Sequence, residues 1–293
     1  MNFMKMVLIL SFICVTLIFI FNNTKSQKDI SIDNDKIISI GGSITETLFK
    51  LGLGDLVIAV DQSSTMPPSV NSLPQIGYIR RISSEGVLAM MPTTIITTSE
   101  IGPEIAINEI KSSGIDFKIY DAPKDLDGLK KNINEISKFF KVNDKAKKII
   151  SDIDNKKEMI DSKVLENNKT FKMIFIMNPS NASYTVAGSN TVANYLIELI
   201  GGENIFSNDF SNYRTINKEE FIKKNPDVLL ISTHYDSLDA INHFIKNSDY
   251  KNLKPIINNN VISMPLSHLS MGPSFIINAY NILKNINVDD SNI

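Results

Sequence analysis

Apolar positions along this chain form two series of short runs, and one long helical stretch lies between them. Runs typical of buried strands fall at 36–40, 56–60, 93–98 and 117–120, and again at 172–177, 227–232 and 261–264. Helical spacing appears between the runs at 43–51 and 103–113, and once more at 273–285. Strands that alternate with helices form largely parallel sheets, so the pattern predicts two α/β lobes.

The stretch between the two series has the apolar spacing of a helix at 144–166. Ala146 and Ile153 lie on its apolar face, Asn143 is the predicted N-cap, and the stretch contains neither glycine nor proline. We therefore expect a continuous helix that joins the lobes. The predicted boundaries are 28–142 for the N-terminal lobe, 143–168 for the interlobe helix and 169–293 for the C-terminal lobe.

The first residues indicate export. Lys5 precedes an uninterrupted apolar run at 6–21, and polar residues follow at 22–27. A charged start, an apolar core and a polar exit predict a secretory signal peptide or an uncleaved N-terminal membrane anchor at 1–27, and both alternatives stay open. The remainder is expected in the periplasm or at the outer face of the cytoplasmic membrane. Cys14 is the only cysteine and lies inside the run, so no disulfide is expected beyond it.

Charge and motifs exclude several classes of function. The net charge is −2, and lysines are interspersed with acids, which gives no nucleic-acid signal. The sequence lacks a P-loop, a G-x-S-x-G elbow, an H-E-x-x-H pair and a dinucleotide fingerprint. We therefore do not expect an enzyme, and we expect the protein to be a monomer.

Arginine use singles out one short segment. The chain has 27 lysines and three arginines, and two of the arginines follow Tyr78 as Arg80 and Arg81. In an extended segment, Tyr78 and Arg80 would share a face, and the cation would stabilise the phenolate. A phenolate suits ferric iron and is an axial ligand in some haem proteins, while Arg81 could pair with a propionate. The alternative is a surface loop with two solvated arginines.

A second pattern is repeated in the two lobes. Glu85 lies seven residues before Pro92 and a strand, and Glu219 lies seven residues before Pro226 and a strand. Both glutamates are predicted in the first turn of a short helix. Acids in a first turn also complement the helix dipole, which explains each glutamate but not the matched positions.

Histidines and further tyrosines are weaker candidates. His234 follows a predicted C-lobe strand, and His268 lies just before a Gly-Pro pair, so either could line a ligand crevice or lie at the surface. His243 is expected to be exposed. Tyr184 and Tyr213 are aromatic candidates for the same crevice, with core packing as the alternative.

Several motifs together resemble one known family. The matching segments are 38–46 (ISIGGSITE), 59–61 (AVD), 73–80 (LPQIGYIR), 84–88 (SEGVL), 186–188 (VAG), 197–202 (IELIGG) and the Gly-Pro pair at 272–273. Their order and spacing resemble the class III substrate-binding proteins of ABC importers, and the N-terminal half is most similar to the haem-binding subgroup. The resemblance implies two Rossmann-like lobes joined by a single long helix, with haem captured in the cleft between them.

The resemblance also implies roles for single residues. Tyr78 would be the axial ligand of ferric haem, with Arg80 as its partner. Glu85 and Glu219 would dock onto an ABC permease, which works with its ATPase subunits to import haem. The alternative on the same fold is a receptor for a siderophore or a corrinoid.

Two departures from the family pattern concern the residues that would contact the haem from the C-terminal lobe, opposite Tyr78. The loop after the first C-lobe strand, at 178–181, contains no histidine, and Ser274 stands where the family usually has arginine. Five-coordinate iron without propionate pairing from the C-terminal lobe is therefore expected.

Overall fold

The N-terminal part of the chain folds around a four-stranded parallel sheet. A computed structural model describes residues 35–177, 179, 183–233, 241–242 and 244–287. The strands are β1 Ile37–Ile40, β2 Val57–Val60, β3 Thr94–Thr98 and β4 Asp116–Tyr120, in the sheet order β2-β1-β3-β4. β1 and β3 are buried at every position, because helices cover both faces of a parallel sheet.

Helices follow each strand of this sheet. They are α1 Gly42–Lys50, α2 Ser84–Ala89, α3 Glu104–Ser112 and α4 Leu126–Phe139. Gly52 ends the first of them with a φ of +71°, a left-handed conformation that glycine adopts without strain. The predicted strands and the first and third helices are confirmed to within about two residues. α4 was not predicted, although Leu129, Ile133 and Ile136 form a buried stripe along it.

The C-terminal part contains a mixed sheet. Its strands are β5 Phe171–Met177, β6 Ser183–Ala187, β7 Gly202–Asn204, β8 Tyr213–Asn217, β9 Val228–Thr233 and β10 Val261–Pro265. The order is β10-β9-β5-β6-β8, β7 pairs with β5, and β6 runs antiparallel to both of its neighbours. The predicted strands β5, β9 and β10 are confirmed. The antiparallel β6 and the strand β8 beyond it were not predicted.

Four described helices accompany this second sheet, and a long helix connects the two sheets. The four are α6 Val192–Leu199, α7 Lys218–Lys224, α8 Lys254–Ile257 and α9 Phe275–Lys284. The connecting helix, α5 Asn143–Asn167, has 25 residues and buries Ala146, Ile153 and Ile160. Val142 occupies its N-cap position, so the prediction of Asn143 as the cap is wrong by one residue. The predicted fold class, two α/β lobes with one helix between them, is confirmed.

The N-terminal segment at 1–27, predicted to be a signal or an anchor, lies outside the described residues. Within the part of the chain that the structure describes, no helix has both the length and the apolar character needed to cross a bilayer.

Candidate functional site

A cleft of about 810 Å³ lies between the two sheets. Its N-terminal wall consists of the loops that follow β1, β2, β3 and β4. Its C-terminal wall consists of the end of β5, the loop before α6, the start of β8 and the turn that follows β10. Loops at the carboxyl ends of parallel strands commonly line the ligand crevice of such folds. The cleft is thus the place where the predicted site residues should converge.

Tyr78 is delivered to the cleft by a segment that pairs with the end of β2. Val60 N donates to Pro74 O at 3.0 Å, and Ile76 N donates to Val60 O at 3.0 Å. Gly77 then turns the chain with a φ of +102°, a value that favours glycine. The Tyr78 side chain is 43% exposed and lines the cleft. A partly exposed phenol on a cleft wall is accessible to a ligand.

Arg80 lies in a tight turn and not in an extended strand. The backbone is extended at Tyr78, but Ile79–Arg81 forms a 3₁₀ turn in which Arg81 N donates to Tyr78 O at 2.7 Å. Ile79 is only 5% exposed, so the turn buries this residue while its two neighbours remain accessible. The prediction of an extended segment through Arg80 is therefore wrong. Tyr78 and Arg80 nevertheless both line the cleft.

Arg80 forms an ion pair inside the cleft with Glu100, a residue that the sequence did not single out. Arg80 Nη2 lies 2.8 Å from Glu100 Oε1, and the two side chains are 63% and 50% exposed. The loops that carry them are joined, because Gly102 N donates to Ile79 O and Ile82 N donates to Gly102 O, both at 2.9 Å. An exposed pair of this kind contributes only about 0–1 kcal/mol, so a ligand anion could compete with Glu100 for the guanidinium.

Asp61 organises the floor of the cleft. This carboxylate is fully buried and accepts hydrogen bonds from Gly41 N at 2.7 Å, Ser63 N at 2.9 Å and Ser64 Oγ at 2.7 Å, with Ser63 Oγ as a fourth donor. A buried carboxylate needs such donors, because an unpaired charge in the interior is costly. Asp61 therefore ties the loop after β1 to the loop after β2, and its oxygens serve the scaffold.

Tyr213 stands on the C-terminal wall. It is 39% exposed, lines the cleft, and has its ring centroid 6.3 Å from that of Phe175. Partial burial raises the pKa of Tyr213 to about 12, and the Glu100 carboxylate on the other wall adds to this rise. At neutral pH, Tyr213 is therefore a neutral phenol, suited to stacking or to donating a hydrogen bond. The other tyrosine candidate, Tyr184, is fully buried in the core beside Tyr250, to which its hydroxyl is hydrogen-bonded.

Two hydrogen bonds connect the lobes on one side of the cleft. Lys124 Nζ, in the loop after β4, donates to Asn190 Oδ1 at 3.1 Å, and both residues line the cleft. Nearby, Leu126 N donates to the Tyr195 hydroxyl at 3.3 Å. Lys124 was not singled out from the sequence.

A second set of contacts connects the lobes through the N-terminal end of α9. Glu46 on α1 is 4% exposed, and its Oε1 accepts a hydrogen bond from Ser274 N at 2.7 Å. Ser43 Oγ donates to Met271 O at 3.1 Å. A Cβ at Gly272 would collide with the Glu46 carboxylate, so a larger residue there would have to displace Glu46. Burial raises the pKa of Glu46, and the hydrogen bonds from Ser274 offset part of the rise.

Other predicted residues lie away from the cleft or cannot be placed. Arg81 is exposed and is not among the lining residues. His268 belongs to the 3₁₀ turn Leu266–Ser270, whose other residues line the cleft, but its own side chain does not; burial lowers its pKa. His234 and His243 lie outside the described residues. The described lining residues thus include no histidine.

Glu85 and Glu219 occupy equivalent positions on the two lobes. Glu85 is in the first turn of α2, which Ser83 caps, and Glu219 is in the first turn of α7, which Asn217 caps. Both glutamates are exposed, and neither forms an ion pair with another described residue. The predicted helix positions are confirmed. The docking role stays a prediction.

The cleft presents side chains that can recognise a ligand. Phenol, guanidinium and ammonium groups face one space, whereas groups of three or more His, Cys, Asp or Glu able to hold a metal ion do not occur among the described residues. One feature of the sequence, the position just after a predicted strand, could have identified both Glu100 and Lys124. Each closely follows the end of a parallel strand, where side chains face the crevice.

Comparison with known proteins agrees with this architecture. The model of the family described as periplasmic binding protein matches residues 37–267. The vitamin B12-binding protein of Vibrio parahaemolyticus is 26% identical over 226 residues, which cover 77% of this chain and 79% of that protein. The high-affinity heme uptake system protein IsdE of Staphylococcus aureus is 26% identical over 258 residues, which cover 86% of each chain. The solved apo structure of the periplasmic heme-binding protein RhuT from Roseiflexus is 25% identical, with a TM-score of 0.78, and covers 86% of this chain and 97% of that one. The chain therefore belongs to the periplasmic binding protein family, and it has the class III fold with two α/β lobes joined by one helix.

Proposed function

We propose that this protein captures ferric haem in the cleft and delivers it to an ABC importer. The observation that carries the proposal is the Tyr78 phenol, which is 43% exposed on the wall of a cleft of about 810 Å³. This volume falls within the range of about 300–1,000 Å³ typical of small-molecule sites. A phenolate is a hard anionic ligand that binds ferric iron, and tyrosine is an established axial ligand of haem.

The relatives are named for two different ligands, haem and vitamin B12. IsdE and RhuT are both named for haem, and each aligns with about 86% of this chain. The relative from Vibrio parahaemolyticus is named for vitamin B12, which makes a corrinoid the second candidate. A ferric siderophore is the third, because it is a further ligand class carried on this fold. Corrinoids and siderophores are bulky or coordinatively saturated and need no tyrosine ligand, whereas haem offers an open axial position for Tyr78.

Titration of the purified full chain distinguishes the three ligands. Hemin, cyanocobalamin and a ferric siderophore are each added, and absorbance is followed. We expect hemin to give a saturable Soret shift with a charge-transfer band typical of tyrosinate bound to iron. Saturable binding of cyanocobalamin or of the siderophore, with hemin inert, would overturn the proposal.

Delivery requires an exported protein and a permease with its ATPase subunits. We place the protein in the periplasm or at the outer face of the cytoplasmic membrane, in keeping with its family. Glu85 and Glu219 are then available on the two lobes to contact the two halves of the permease. The ligand leaves chemically unchanged, so no enzymatic turnover is expected.

A further inference from the structure

The described lining of the cleft contains three charged side chains. These are Arg80, Glu100 and Lys124. Arg80 and Glu100 neutralise each other across 2.8 Å. Lys124 Nζ contacts Asn190 Oδ1 at 3.1 Å, which is a neutral acceptor, and it forms no ion pair with an acid in the part of the chain that the structure describes. Among the described lining residues, Lys124 is therefore a positive charge without a counter-charge of its own.

The two cations belong to different loops of the N-terminal wall. Arg80 lies in the Ile79–Arg81 turn, which is hydrogen-bonded to Gly102 in the loop after β3. Lys124 lies in the loop after the edge strand β4 and reaches across to Asn190 on the other lobe. A ligand whose metal is bound by Tyr78 would therefore meet Lys124 with its periphery and not with its metal centre.

We infer that Lys124 binds a carboxylate on the periphery of the ligand, and that this contact makes the cleft select a tetrapyrrole with acidic side chains. The inference rests on the proposed function and deepens it. An ammonium group gains a charge-assisted hydrogen bond from a carboxylate. A corrinoid presents neutral amides at its edge and gains much less. The carboxylate-binding role expected for Arg81 thus passes to Lys124, because Arg81 lies outside the lining.

Arg80 is a weaker site for the same carboxylate. A ligand acid there would share the guanidinium with Glu100 or compete with it, and would meet the repulsion of that carboxylate. At Lys124, the ligand displaces only an amide oxygen or adds to it, because an ammonium group has three donors. The two cations thus differ in their present partners, which are a carboxylate for Arg80 and a neutral amide oxygen for Lys124.

Three variants of the full chain separate charge from the interlobe contact. Lys124→Met keeps most of the apolar stem and removes the charge. Lys124→Arg keeps the charge. Tyr195→Phe removes a neighbouring interlobe hydrogen bond, the one from Leu126 N, at a residue outside the cleft lining, and leaves Lys124 and Asn190 intact. Each is titrated with hemin and with hemin dimethyl ester, in which both propionates are esterified, in one solvent and at two salt concentrations.

We expect Lys124→Met to weaken hemin binding about three- to tenfold at low salt, with a smaller loss at high salt. Binding of the dimethyl ester should be unchanged, and Lys124→Arg and Tyr195→Phe should stay close to the wild type. An equal loss for hemin and its ester, or the same loss in Tyr195→Phe, would overturn the inference. A wild-type protein that binds hemin while Lys124→Met has no effect rejects the inference alone, whereas a wild-type protein that binds neither porphyrin rejects the proposed function.

Discussion

Tyr78 and Tyr213 lie on opposite walls of the cleft, and the surroundings of their phenol groups differ. Tyr78 lies two residues from a guanidinium group that also lines the cleft. Tyr213 packs near Phe175, faces the charge of Glu100, and has a pKa raised to about 12. The raised pKa disfavours the Tyr213 phenolate that ferric iron would bind, so we expect Tyr78, and not Tyr213, to supply the iron ligand.

The two tyrosines form a matched pair for a spectroscopic test. In Tyr78→Phe, the aromatic ring stays and the oxygen ligand is lost, so we expect the charge-transfer band of the hemin complex to disappear and the affinity to fall at least tenfold. In Tyr213→Phe, the band should remain, because that phenol does not reach the iron as an anion. A band that survives in Tyr78→Phe, or vanishes in Tyr213→Phe, would contradict the assignment.

Single residues of the site were predictable where a local pattern marked them. Tyr78 and Arg80 were found because arginine is rare in this chain and the spacing is short. Glu100 and Lys124 were not found, since exposed acids and lysines are common and only the sheet brings these two to the cleft. The prediction of an extended conformation at Arg80 was wrong because Ile79 is buried in a 3₁₀ turn. The spacing of Tyr78 and Arg80 in the sequence does not reveal such a turn.

At the level of helices and strands, α1 links the cleft floor to the other lobe. Its buried Glu46 accepts the N–H of Ser274, just before α9. Because burial raises the pKa of Glu46 above its ordinary 4.5, the folded state holds a proton in a pH window where the unfolded chain has lost it. In that window, stability falls as the pH rises.

Glu46→Gln tests this dependence. Glutamine keeps an oxygen for the Ser274 N–H and cannot ionise. We expect the wild type to lose stability relative to Glu46→Gln as the pH rises above 4.5, in urea unfolding series followed by circular dichroism. Glu104→Gln, at an exposed first-turn glutamate of α3, is the control and should give no such trend. A constant difference between wild type and Glu46→Gln at every pH would contradict the account.

The short helices α2 and α7 present the two glutamates proposed for docking. Glu85→Lys or Glu219→Lys should leave hemin titration unchanged, since neither residue lines the cleft. Each should reduce permease-stimulated ATP hydrolysis about tenfold or more, because a charge is reversed at a contact. Glu104→Lys reverses another exposed first-turn acid on the N-terminal lobe and should have no effect. Impaired hemin titration in either docking variant would move that glutamate into the ligand site.

Regular elements were predictable to the extent that their pattern was strong. The buried strands β1, β3, β5 and β9 consist mostly of apolar or β-branched residues, and all four were located. β6 and β8 escaped notice because their alternation is short and interrupted by polar residues, and their pairing is antiparallel. The Glu46 contact could not be anticipated, since its partner is 228 residues away.

For the molecule as a whole, the described residues connect the two lobes at three places. α5 joins them covalently as a helix of 25 residues with no glycine or proline, Glu46 and Ser43 reach the C-terminal lobe, and Lys124 bridges to Asn190. A hinge must concentrate backbone rotation in a few residues, and a continuous helix does not offer them. The cleft is therefore expected to be largely formed before the ligand arrives, which lowers the ordering cost of binding.

Small-angle scattering of the unloaded and hemin-loaded chain measures this directly. We expect the radius of gyration to be the same in both states within the error of the measurement. A variant that removes the side-chain bridges, Glu46→Ala with Asn190→Ala, should still keep the radius if α5 is the main restraint. A clear decrease on loading of the wild type would show that the lobes close and would contradict the rigid connection.

A stiff connection between the lobes would also affect how well the proposed permease distinguishes loaded from unloaded protein. If the outer faces of α2 and α7 keep their separation with or without cargo, the partner meets nearly the same surface in both cases. Unloaded molecules would then compete with loaded ones for the same docking site on the permease. Import would slow whenever empty copies outnumber full ones, so the cell's rate of uptake would depend on the ratio of receptor to haem and not on the amount of receptor alone.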